Sequence, residues 1–153
     1  MKGISYLTDQ DGQKKAIVID FDLFKNRDTL LEIIEDIEDE ISIDLRRDEP
    51  SFDWDQIRGQ VISKDWGMYK VQIKKSALKE LNNIQKVFRL KIIDKIDELS
   101  IDPRPSGVRK LENAVNSYRI RVGDFRIIYH IEDSVLLVDI VKIADRKDAY
   151  RSK

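Results

Sequence analysis

The sequence predicts an α+β chain: an N-terminal β-hairpin and an acidic amphipathic helix, followed by a twisted antiparallel sheet with two packed helices. Three observations carry this. Strand-like runs bounded by turn residues stand at both ends of the chain. Apolar residues recur at helical spacing in the segments near residues 28–46 and 76–100. The last third holds four strand-like runs separated by short polar turns.

ISYLT (4–8) and KKAIVIDF (14–21) are β-rich and flank DQDG, a hairpin pattern. From Asp28 to about Arg46 the apolar residues Leu30, Ile33, Ile34, Ile37, Ile41 and Leu45 form one helical stripe. Glu32, Glu35, Asp36, Glu38, Asp39 and Glu40 make the opposite face, and Asp28 is placed to cap the start. RRDEPS breaks this helix at Pro50, and FDWDQIRGQVI holds a short helix with Asp53 as N-cap. KDWG (64–67) reads as a junction, and Met68 with MYKVQIKK as the first strand of a new domain.

SALKELNNI and QKVFRLKIIDKIDEL read as a shorter and a longer helix, stopped by Pro103, Pro105 and Gly107. VRKL, SYRIRV, FRIIYHI and VLLVDIVKI follow as strands. With Gly123-Asp124 as a two-residue turn, Val122 pairs with Phe125 and Arg121 lies opposite Arg126. Side-chain alternation then puts Tyr118, Ile120, Val122, Phe125, Ile127 and Tyr129 on a core face. Arg119, Arg121, Arg126, Ile128 and His130 share the other face. A turn at Asp133-Ser134 would bring Asp139 opposite Ile128. Three guanidiniums on one face form an anion site, because the planar fork suits phosphate. The competing reading is that the acidic first half supplies their counter-charges.

Charge supports a division of the chain. Residues 1–67 hold 9 Lys+Arg against 17 Asp+Glu, and residues 68–153 hold 19 against 12, within a net charge of −1. Such halves attract each other, or the basic one meets nucleic acid. The absence of cysteine excludes a disulfide framework, and the single histidine argues against a histidine-rich metal site. No apolar run approaches the roughly 20 residues of a membrane span, and no signal region opens the chain, so a cytoplasmic protein with no cofactor, metal or membrane partner is expected.

SALKEL, IDELSIDPRPSGVRKLEN, YRIRVGDFRIIYHI and IADRKDAYR, in that order and spacing, make residues 68–150 resemble a RelE/ParE-superfamily toxin. Residues 1–63 resemble a RelB-like antitoxin segment by pattern and position, so the chain looks like an antitoxin–toxin fusion with its junction at 64–67 and its toxin domain over 68–153. The resemblance implies a metal-independent, ribosome-dependent mRNA endonuclease (an mRNA interferase) acting in the ribosomal A site. Arg119, Arg121, Arg126, Arg146 and Tyr150 would carry the reaction. Arg126 would hold the phosphate, Arg146 would assist the leaving group and Tyr150 would stack on or orient a base. Many relatives place His or Lys where Asp145 stands, so Asp145 and His130 are left as candidate proton acceptors, His130 reading more readily as an ordinary strand residue. Lys74, Lys75, Arg109 and Lys110 would contact RNA phosphates, or form a solvated basic surface. A second reading keeps the fold as a ParE-like gyrase inhibitor. A third makes it an inactive binding or autoregulatory module, with operator DNA and a homodimer through the N-terminal segment as partners.

Overall fold

The computed structural model of the chain describes residues 3–58 and 69–145. Two compact units divide it, Met1–Glu38 and Asp39–Lys153. In the first, β1 (Ile4–Thr8) and β2 (Lys14–Ile19) form the expected antiparallel hairpin, with Ile4 opposite Ile19. Its turn is local chemistry: Asp9 Oδ1 accepts the amides of Asp11 and Gln13, both at 2.9 Å, and Gly12 takes φ +80°. A 3-10 turn over Phe21–Lys25 leads into α1 (Arg27–Leu45). The cap is Asn26, not Asp28: Asn26 Oδ1 accepts the Thr29 amide at 3.2 Å.

The unit boundary falls inside α1. Burial along the helix departs from what its pattern predicts, and Glu35 and Asp36 are already buried. Asp39 and Glu40 are buried, whereas Ile41 and Leu45 are 44% and 79% exposed. Asp39 faces inward because what it meets is cationic.

The second unit is built on a six-stranded sheet of order β3-β4-β8-β7-β6-β5. Its strands are β3 (Ser51–Asp53), β4 (Lys70–Lys74), β5 (Arg109–Lys110), β6 (Ser117–Val122), β7 (Phe125–Glu132) and β8 (Leu137–Asp145). The sheet is mixed rather than wholly antiparallel, since β4 runs parallel to β8. The chain between those two strands, with its two helices, is long enough for a parallel connection. β3 is only three residues long, too short for a period-2 pattern, and pairs antiparallel with β4.

Among the described residues, the unit also holds the end of α1 and the helices α2 (Trp54–Arg58), α3 (Lys75–Asn82) and α4 (Lys86–Leu99). Asp53 Oδ1 accepts the Asp55 amide at 3.1 Å, the cap expected for α2. One core joins Trp54, Ile73, Leu81, Ile92, Ile96, Leu99, Ile127, Tyr129 and Ile140. Full burial of each such aliphatic side chain contributes about 1.5–3 kcal/mol. The Tyr129 hydroxyl donates to Pro103 O at 2.7 Å, and burial, then the neighbouring Tyr118, pushes its pKa up. No described helix is long and apolar enough to cross a membrane.

Candidate functional site

The arginine-bearing hairpin forms as alternation dictates. Arg121 lies opposite Arg126, Val122 opposite Phe125 and Arg119 opposite Ile128. Gly123 takes φ +61° in the turn, a conformation that favours glycine. Ile120, Ile127 and Tyr129 point into the main core. Arg119 and Arg126 are nevertheless only 3% and 1% exposed, on the other face.

The next strand departs from expectation. Asp133–Val135 make a 3-10 turn and Leu136 takes φ +51°, so the connection is four residues and Glu132 pairs with Leu137. The register then shifts between Ile128 and Tyr129: Tyr129 faces Ile140, but Ile128 faces Lys142. Asp139 therefore lies opposite His130, not Ile128. The bulge skips Val141, whose carbonyl accepts Arg46 Nη1 at 2.9 Å. Arg46 also binds both oxygens of Glu80, at 2.7 and 3.2 Å, and Glu80 Oε1 accepts the Ile143 amide at 3.2 Å. A bulge re-aims side chains. Without this one, alternation from Val138 and Ile140 would turn Lys142 into the core. With it, Ile143 points to the core and Lys142 joins the arginine face.

Three cations meet on this face around one carboxylate. Arg126 Nη2 donates to Asp39 Oδ1 at 2.9 Å, and its Nε lies 3.1 and 3.0 Å from Oδ1 and Oδ2. Arg119 Nη1 donates to Oδ2 at 3.2 Å, and Lys142 Nζ to Oδ1 at 3.3 Å. Lys142 also donates to Ser42 Oγ at 3.0 Å. The Asp39 side chain is 0% exposed and that of Lys142 8%. A carboxylate so buried persists only when its charge is compensated. The next residue, Glu40, accepts the Asn113 amide at 2.9 Å. Ile43 packs on the small cluster of Leu111, Ile128 and Val141.

The remaining candidates are scattered around this centre. Arg121 is exposed on the same face, and Arg109 sits opposite Arg119 at the sheet edge with Lys110 beside it. Lys75 is exposed at the start of α3. Lys74 is turned inward: it pairs with Asp139 at 3.2 Å and lies 3.5 and 3.4 Å from the carbonyls of Arg47 and Glu49. His130 contacts Glu132 at 2.7 Å and Asp145 ends β8. Arg146, Tyr150 and the 64–67 junction with Met68 lie outside the described residues. Lys142 is the member that sequence reasoning misses. Its lysine is visible, but only the bulge places it on this face.

Glu49 anchors the chain just beyond α1. Burial pushes its pKa up, but the hydroxyl and amide of Ser76, at 2.7 and 3.0 Å, with Arg46 and Lys74 nearby, bring it net below its ordinary value.

The pattern of the family described as "ParE toxin of type II toxin-antitoxin system, parDE" matches residues 71–150. A protein named RelE1 from Methanocaldococcus jannaschii is 29% identical over 87 residues, covering 55% of this chain and 97% of that protein. A chain of the archaeal RelE-RelB complex from Pyrococcus horikoshii OT3 is 31% identical, covering 52% of this chain and 96% of that one, with a TM-score of 0.48. A chain of the toxin-antitoxin complex RelBE2 from Mycobacterium tuberculosis is 21% identical, covering 51% and 98%, with a TM-score of 0.47. With more than half of its length matched by that pattern, the chain belongs to the ParE toxin family of type II toxin–antitoxin systems.

Proposed function

We propose that the chain is a toxin fused behind its own antitoxin segment, and that the cationic sheet face cleaves ribosome-bound mRNA when that segment releases it. The observation that carries this is Asp39, whose buried carboxylate accepts from Arg119, Arg126 and Lys142 at once. A carboxylate presents two anionic oxygens much as a phosphodiester does, so the contact reads as an anion site already filled from within the chain.

In the reaction the 2′-oxygen loses its proton and attacks the adjacent phosphorus, and the 5′-oxygen departs with a proton. Arg126 and Arg119 stabilise the charge that builds on the phosphorane oxygens, and Arg121 extends the same cationic edge. Arg146 and Tyr150 keep the roles their family positions imply, near the leaving group and against a base. Lys75, Arg109 and Lys110 are placed to meet RNA phosphates, whereas Lys74 is held by Asp139. Residues 1–63 act as the antitoxin part, with β3 and Trp54 fixed into the toxin's sheet and core.

That last contact shapes the experiment, because a chain cut at residue 68 would lose Trp54 and β3. Full-length Asp39→Asn, induced in cells, should arrest growth and cut mRNA on the ribosome, while wild type and Asp39→Asn/Arg126→Ala should not. A folded Asp39→Asn protein that neither arrests growth nor cuts mRNA would refute the reading. The family matched is that of ParE toxins, and the resemblance to ParE-like toxins implies a second reading, inhibition of DNA gyrase. Loss of supercoiling by purified gyrase with Asp39→Asn, without RNA cleavage, would establish it instead.

A further inference from the structure

Lys142 joins the anion site but has no step in the reaction proposed above, yet the fold goes to some length to place it. A bulge at Val141, tied down by Arg46 and Glu80, lifts Lys142 out of the core side of β8. Its ammonium ends on the carboxylate oxygen that Arg126 also holds, at 3.3 Å. Arg126 stands on the middle strand of the three. Arg119, on β6, and Lys142, on β8, flank it and reach opposite oxygens of Asp39.

We propose that Lys142 is a catalytic residue: it donates the proton that the departing 5′-oxygen takes. The inference rests on the RNA-cleaving reading. A phosphodiester in the place of Asp39 would have Arg126 across its two non-bridging oxygens and Arg119 and Lys142 on its flanks. In displacement at phosphorus the entering and leaving oxygens lie roughly in line, on opposite sides of the centre. Of the three cations, only an ammonium has a proton to give, since guanidinium stays protonated. Arg146 is a guanidinium too, so the leaving-group role its family position implies is one of charge and not of proton donation.

The step balances. The 2′-hydroxyl proton passes to water as the O2′–P bond forms, and the P–O5′ bond breaks as Lys142 Nζ protonates O5′. The products are a 2′,3′-cyclic phosphate and a 5′-hydroxyl, and the neutral amine regains a proton from solvent. Ser42 Oγ, 3.0 Å from Nζ, holds the ammonium on this side of the site.

The test uses full-length protein with Asp39→Asn as the active background and two ribosome-programmed mRNAs. One has the natural 5′-oxygen at the scissile bond. The other has sulfur there, a leaving group that departs without protonation. Adding Lys142→Met should slow cleavage of the oxygen substrate by about 100-fold, the lower end of what a positioned acid contributes, and leave the sulfur substrate within a few-fold. Lys142→Arg, which keeps the charge, should be equally slow on oxygen and equally restored by sulfur. Lys142→Arg, which keeps the charge at the anion site, should bind a 2′-O-methyl, uncleavable mRNA as Asp39→Asn does. Equal losses on both substrates, or no loss on either, would overturn the proton role while leaving the RNA-cleaving reading intact. Failure of Asp39→Asn itself to cut either substrate would overturn both. Should Lys142→Met fail to fold, Lys142→Arg tests the same proton transfer with the charge in place.

Discussion

Replacing Asp39 by Asn removes one negative charge and little volume from a place where three cations meet. Arg126, Arg119 and Lys142 approach the carboxylate at 2.9, 3.2 and 3.3 Å, and their side chains are 1%, 3% and 8% exposed. Breaking a buried ion pair by removing one partner costs about 3–5 kcal/mol. Asparagine keeps one acceptor oxygen, which sets the expectation at the lower end, about 3 kcal/mol. Asp44, whose pair with Arg47 has side chains 50% and 71% exposed, supplies the control. Asp44→Asn should cost less than about 0.5 kcal/mol. In urea, with a slope of about 2 kcal/mol per M, the Asp39→Asn midpoint should fall by about 1.5 M in near-UV circular dichroism. Inorganic phosphate should recover part of that loss, because an anion that binds the folded state stabilises it. A midpoint shift no larger than that of Asp44→Asn, or no effect of phosphate, would refute the reasoning.

Trp54 is 2% exposed in the main core, and its Nε1 donates to Asp97 at 2.8 Å. Trp54→Ala should cost about 3–5 kcal/mol in urea unfolding, and Trp54→Phe distinctly less. Glu49 has a folded pKa below its ordinary 4.5. Its stabilisation is therefore present above that ordinary value and lost as pH falls through the lowered one. The difference in urea midpoint between wild type and Glu49→Gln should be constant at neutral pH and shrink on acidification below about 4.5. Gly123 takes φ +61°, and an added Cβ would meet nothing within 4 Å. Gly123→Ala should therefore cost only the backbone strain, about 1–2 kcal/mol, read as a midpoint shift without loss of the hairpin's amide protection.

The β6–β7 register is legible in the sequence because alternation and a Gly-Asp turn fix it locally, and a one-residue slip would turn the arginines into the apolar main core. The α3 and α4 helices are legible from apolar spacing and from the prolines that end the second. What escapes depends on long-range packing. The parallel β4–β8 pairing joins strands more than sixty residues apart. The bulge at Val141 has no local signature, since the residues that stabilise it, Arg46 and Glu80, belong to other elements. Without the bulge, no pattern in VLLVDIVKI puts Lys142 beside Arg126. Asp39 is visible as one of several acids on a helix, and nothing in their spacing marks it as the one that meets the arginines. The charge division does point to the kind of contact: Asp39, an acid from the first part, supplies counter-charge to the sheet face.

On the reading proposed above, Asp39 stands where an RNA phosphate would bind, so the carboxylate and the RNA should compete for the same cations. The most direct measurement is the affinity of the full-length chain for an uncleavable 2′-O-methyl oligoribonucleotide, with wild type and Asp39→Asn compared side by side. Freeing the charge-assisted hydrogen bonds, each about 1.5–3 kcal/mol, predicts binding at least about tenfold tighter in Asp39→Asn, abolished by adding Arg126→Ala. Equal affinity of the wild type and Asp39→Asn would contradict it.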